Sequence, residues 1–140
     1  MIVYAESSAV ATWLLSEPTG PSVRACLDEA AQVVSSSLTS VECTRALIRA
    51  QLMGRLTVTQ SLAARQLLEQ AVAAWSVQSL NANVLTRASA PMPGDPVRTL
   101  DALHIATAQI LRDALGPIAM LSLDLRVRTC AGALGFAVLP

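Results

Sequence analysis

Lysine is absent from this 140-residue chain; all ten basic residues are arginine. That excludes a Walker-type phosphate loop, whose lysine reaches the nucleotide phosphates. It also excludes Schiff-base and pyridoxal chemistry, which need a lysine amine. Charge of either sign is scarce, 14% of residues against 53% apolar, and ten acids balance the ten bases. A balanced chain is not held to nucleic acid by bulk electrostatics alone, although arginine can still grip phosphates bidentately. No run of about 18 apolar residues could cross a bilayer. The N-terminus has no basic segment followed by an apolar one, so no signal peptide is expected. Cys26, Cys43 and Cys130 are odd in number, widely spaced and without a Cys-x-x-Cys. They read as small buried hydrophobes in a reducing cytoplasm. Without repeats, low-complexity tracts or linkers, residues 1–140 are expected to form one domain. That length can bury a sizeable core and leaves apolar surface for a partner.

What is present is organised around Ile2-Val3-Tyr4-Ala5-Glu6-Ser7-Ser8-Ala9-Val10. An apolar run with a β-branched pair turns abruptly into an acid and two hydroxyls, which predicts a buried strand with a polar tip. Further strands are expected at 32–35, 76–79, 118–123 and 136–139. Helices are expected at 8–16, 22–30, 40–53 (closed by Gly54), 57–75, 81–88 and 125–134. Asp95-Pro96 reads as an N-cap followed by proline at the first helical position, opening a helix to about Asp113. Strands alternating with helices predict a three-layer α/β/α sandwich around a central parallel sheet.

Four of the ten acids invite a functional reading, and each also has a plainer one. Glu6 follows a strand-like run, where a buried carboxylate without a partner is costly; the plain reading is a solvent-facing strand end. Glu42 completes Thr39-x-x-Glu42, a capping-box pattern, with Arg45 within ion-pairing reach on the same helix. Asp101 interrupts the apolar Leu100–Ala106, one turn from His104, and a buried Asp–His hydrogen bond would explain both. His104 is read as a satisfied core group rather than a ligand. Asp124 ends a strand and could simply cap the next helix. Together, two acids end strands and two lie on helices opening from the same edge. Ligands bind beyond the carboxyl ends of strands in such sheets. Clustered carboxylates repel unless a cation neutralises them. With no lysine for that task, a hard divalent ion such as Mg²⁺ or Mn²⁺ is the expected filler.

In this order the motifs resemble a PIN-domain ribonuclease, of the VapC-like kind that forms the toxin of a toxin–antitoxin pair. The first is Val3-Tyr4-Ala5-Glu6-Ser7-Ser8-Ala9, and the second Ser36–Glu42 with Thr44-Arg45-Ala46-Leu47. Arg98-Thr99-Leu100-Asp101-Ala102-Leu103-His104-Ile105-Ala106-Thr107-Ala108 follows, and the block from Leu121 through Asp124 to Gly135 closes the series. The resemblance covers almost the whole chain. It implies that Glu6, Glu42, Asp101 and Asp124 are the catalytic acids, with Glu6, Asp101 and Asp124 on the metal and Ser8 orienting the first acid or its water. It implies an Mg²⁺- or Mn²⁺-dependent endoribonuclease, an RNA substrate, a cognate antitoxin and a homodimer. Two departures stand out. The first acid is usually Asp, and here it is Glu6. Many relatives carry another acid after the Asp124 position, where Arg126 and Arg128 stand instead. The missing acid argues against a second metal, and the two arginines become candidate contacts to RNA phosphates. A PIN-like RNA- or protein-binding module that no longer cleaves is the alternative. A phospho-receiver domain also gathers acids at strand ends, but its usual lysine is missing.

Overall fold

The structure, a computed structural model, describes residues 1–140. Strand β1 is Ile2–Ala5, β2 Gln32–Ser36, β3 Ser76–Gln78, β4 Ile118–Leu121 and β5 Ala137–Leu139. Helices are α1 Ser7–Leu14, α2 Gly20–Glu29, α3 Ser37–Leu52, α4 Val58–Ala74, α5 Ala82–Ala88, α6 Thr99–Leu115 and α7 Leu125–Ala133. The strands form one five-stranded sheet in the order β3-β2-β1-β4-β5. Every pairing is parallel; β1 runs from Ile2 opposite Ile118 to Ala5 opposite Leu121. The expected parallel α/β/α sandwich is the architecture found.

The sheet is covered on both faces because β1 alternates its side chains. Tyr4 points to one side, where it joins Ile105, Ala106 and Leu111 of α6 and Val127 of α7. Val3 and Ala5 point to the other, where they meet Val10 of α1, Leu47 of α3 and Leu68 of α4. A strand buried on both faces is a continuous apolar run, as Ile2–Ala5 is. No helix is long and apolar enough to cross a membrane.

Local chemistry explains most element ends. Gly54, at φ 74°, follows α3 in a left-handed conformation. Its N–H donates to Gln51 O, and Arg55 N–H donates to Ala50 O. This is the paired closure that a glycine after the last helical turn allows. Three expectations need correction. The helix expected from Asp95 begins only at Thr99, because the Asp95 carboxylate accepts from the N–H groups of Met92 and Val97 and closes a turn. Helix α3 begins at Ser37 rather than Ser40, capped by Ser36. Thr39 therefore lies inside the helix, and the Thr39–Glu42 capping box does not form. A true capping box sits instead at Thr57 and Gln60 of α4. Strand β4 stops at Leu121, which frees Ser122 to turn toward Glu6.

Candidate active site

The chain runs from β1 out to β2 and β3, then returns to the other side of β1 as β4. The point where strand order reverses therefore lies between β1 and β4, at their carboxyl ends, where open α/β sheets leave a crevice for ligands. Glu6 follows β1 and Ser122 to Asp124 follow β4. Helix α3 opens from the same edge after β2 and carries Glu42, while Asp101 sits in the first turn of α6.

Glu6 is buried, 3% exposed, without a cation in hydrogen-bonding contact. Hydroxyls hold it instead. Its Oε1 accepts from Ser7 Oγ at 2.8 Å and from Ser8 N at 3.1 Å. Its Oε2 accepts from Ser8 Oγ and from Ser122 Oγ, the latter at 2.7 Å. The carboxylate thus caps α1 and ties β1 to the end of β4. This cage accommodates a glutamate where the resembling family has an aspartate. Ser8 also accepts from the N–H groups of Leu123 at 2.9 Å and Asp124 at 3.1 Å. It links the first acid to the backbone of the last.

Glu42 does not pair with Arg45. Its Oε1 lies 2.6 Å from His104 Nε2 and 2.9 Å from Ser7 Oγ, whose one proton it shares with Glu6. Burial alone would push the Glu42 carboxyl up, but the bonds from His104 and Ser7 and the charge of Arg98 outweigh it and hold it low. Ser7 thereby joins Glu6 to Glu42. The expected Asp101–His104 hydrogen bond is absent: His104 turns inward to Tyr4, Ser7 and Glu42. It is satisfied, as expected, with core Tyr4 at Nδ1 and the acid cluster at Nε2.

Asp101 and Asp124 are joined by Arg98. Its Nε donates to Asp101 at 2.7 Å and its Nη2 to Asp124 at 2.7 Å. Asp124 also caps α7, accepting from Arg126 N and Val127 N. Partial burial pushes the Asp124 carboxyl up; these two N–H groups and Arg98 reverse the shift and hold it low. The four acids therefore belong to one hydrogen-bonded network at one edge, running Asp101–Arg98–Asp124–Ser8–Glu6–Ser7–Glu42. Arg98 and Ser7 in this network, and His104 and Ser122 bonded to it, are not among the site residues the sequence points to. For Arg98 a signal existed, since it stands three residues before Asp101 on the same side of the helix start.

Carboxylate oxygens suit a hard divalent ion in kind. Yet no three Asp, Glu, His or Cys side chains are grouped as they would be around an ion. Arg98 supplies positive charge to Asp101 and Asp124 here. Its side chain is 53% exposed and can turn toward solvent, which leaves the donor set chemically suited to a cation. Arg126 is exposed with its guanidinium free, as a phosphate contact requires. Arg128 donates instead to the carbonyls of Ser122, Leu139 and Pro140. That structural task, tying the end of β5 to α7, competes with the phosphate contact expected of it.

Comparison with known proteins identifies the family. The PIN domain family model matches residues 3–128. Ribonuclease VapC46 of Mycobacterium tuberculosis is 33% identical over 137 residues, covering 98% of this chain and 95% of that protein. Ribonuclease VapC35 of the same species is 30% identical over 139 residues, with coverage of 98% and 95%. The crystal structure of M. tuberculosis VapC20, a toxin that cleaves the sarcin-ricin loop, superposes with a TM-score of 0.65. At 16% identity over the full length of both chains, it speaks for the fold. The family match over nearly the whole chain, with two ribonuclease relatives at 30% identity or more, makes this chain a member of the PIN-domain family, in its VapC-like ribonuclease branch.

Proposed function

We propose that the chain is a metal-dependent endoribonuclease that serves as the toxin of a type II toxin–antitoxin pair. The observation that carries this reading is the single network joining Glu6, Glu42, Asp101 and Asp124 at the switch point of the sheet. Ribonucleases of this family depend on metal in general. Glu6, Asp101 and Asp124 would hold the ion, Mg²⁺ or Mn²⁺, and Arg98 would turn away to free Asp101 and Asp124. The ion supplies Lewis-acid stabilisation of the phosphodiester and lowers the pKa of water. The protein's own part is to place groups before the substrate arrives. Ser7, Ser8 and Ser122 fix the Glu6 carboxylate. Glu42, held ionised, is the proton acceptor for the attacking water. Arg98 and the exposed Arg126 meet RNA phosphates at the mouth of the site.

The surface supports a protein partner. A groove beside Glu42 is lined by Leu38, Val41, Arg45, Ile48, Arg49 and Leu100. Its exposed Val41 and Leu100 are the apolar surplus expected from composition. It supports an antitoxin or a second copy as occupant. The expected setting is cytoplasmic, with a homodimer as the working unit and no membrane role. A second reading, a PIN-like binding module that no longer cleaves, is favoured by one feature: Arg98 already neutralises Asp101 and Asp124.

Incubation of the purified protein with single-stranded RNA separates the two. Cleavage with Mg²⁺ or Mn²⁺ that stops with EDTA and in Asp101→Asn supports the nuclease. Retention of cleavage in that variant would remove the proposed site. Growth arrest on expression, relieved by a co-expressed neighbouring small DNA-binding protein, tests the toxin role.

A further inference from the structure

We infer that Tyr4 and His104 are positioning residues for Glu42. The Tyr4 hydroxyl fixes the imidazole, and the imidazole fixes one carboxylate oxygen and leaves the other to work. What Glu42 then does rests on the ribonuclease reading; the hydrogen-bond chain itself does not.

The chain runs through buried atoms. Tyr4 is 0% and His104 1% exposed. Tyr4 Oη lies 2.8 Å from His104 Nδ1, with the two rings edge to face at 77°. His104 Nε2 lies 2.6 Å from Glu42 Oε1. A carboxylate has only lone pairs to offer. An Nε2 without a proton would set lone pair against lone pair at that distance, so Nε2 carries the proton and donates. The nearby Ser7 hydroxyl cannot replace it. Ser7 has one proton for three neighbours: Glu6, Glu42 and His104 Nε2. In the neutral ring a proton on Nε2 leaves Nδ1 as the acceptor, and the Tyr4 O–H is the donor it meets.

The result is an asymmetric carboxylate. Glu42 Oε1 is anchored by His104 and Ser7. No protein donor reaches Oε2, and the side chain is 27% exposed. The structure thus assigns Oε2 as the oxygen that takes a proton from water. Fixing the orientation of an acting group through the other side of a histidine is a recurrent device.

His104 is the only histidine, so tag-free protein gives its imidazole signals without ambiguity. Long-range ¹H–¹⁵N spectra are expected to show Nε2 protonated and Nδ1 bare, with the Nδ1 resonance shifting in Tyr4→Phe. A proton on Nδ1 overturns the assignment. In the RNA assay, His104→Leu is expected to lower kcat about 10- to 100-fold, the usual effect of losing such a partner, with KM little changed. His104→Gln keeps an N–H that can reach Oε1 and is expected to recover part of the rate. Equal loss in the two folded variants would make His104 a packing residue only and overturn the proposal. If the unaltered protein cleaves no RNA, the ribonuclease reading fails, and the spectra still decide the hydrogen-bond chain.

Discussion

Arg98 reaches Asp124 at 2.7 Å across 26 positions of sequence while gripping Asp101 in the same conformation. One exposed arginine therefore balances two acids that the family resemblance assigns to a metal.

Removing that arginine should expose the competition. In Arg98→Gln, Asp101 and Asp124 face each other without a cation and repel. The variant is expected to melt lower than the unaltered protein in EDTA and to gain more in Tm on adding Mg²⁺. Differential scanning fluorimetry across a metal titration checks this. An equal gain in both proteins would mean that Arg98 and the ion do not compete.

Asp101 is the most buried member of that pair, at 6% exposed. Asp101→Asn keeps the shape and removes the charge. RNA cleavage is expected to fall by at least about 100-fold, the upper end of what even outer partners of a metal ligand cost. Circular dichroism should show an unchanged fold.

Acid should weaken the protein through Glu42 and Asp124. Both carboxyls are held below their ordinary range in the fold. A depressed group binds its proton more readily when unfolded, so its stabilising share is fully present above the ordinary carboxylate pKa of about 4. That share drains away as pH falls through the lower folded value. Melting temperature measured downward from pH 7 should hold until about pH 5 and then drop. The drop should be shallower in Glu42→Gln, which has one such group fewer.

Ser8 is expected to matter for stability as much as for chemistry. Ser8→Ala removes a donor to Glu6 and the acceptor for the N–H groups of Leu123 and Asp124. Asp124 N keeps Ser122 as a second partner, but Leu123 N does not. Leaving such groups unpaired costs roughly 1–3 kcal/mol. Urea denaturation of the purified variant measures it.

The fold was legible because its signals are short-range. Ile2–Ala5 shows a strand by its own residues, Gly54 shows a helix end, and alternation of strands and helices implies a parallel sheet. The expected start of α6 at Asp95 failed because Asp serves a turn as readily as a helix cap. The Thr39–Glu42 capping box failed for a similar reason: the pattern fits any helix start, and Ser36 began the helix one turn earlier.

The sequence by itself settled the architecture and drew attention to four acids, since apolar periodicity and strand-end polarity are carried by neighbours in the chain. Tertiary structure alone decided how those acids are neutralised and which atoms hold them. Arg98 meets Asp124, Ser122 meets Glu6 and His104 meets Glu42 across 26, 116 and 62 positions. Hydrogen bonds act over about 3 Å of space, and no spacing along the chain records which distant residues the packed sheet brings within that reach.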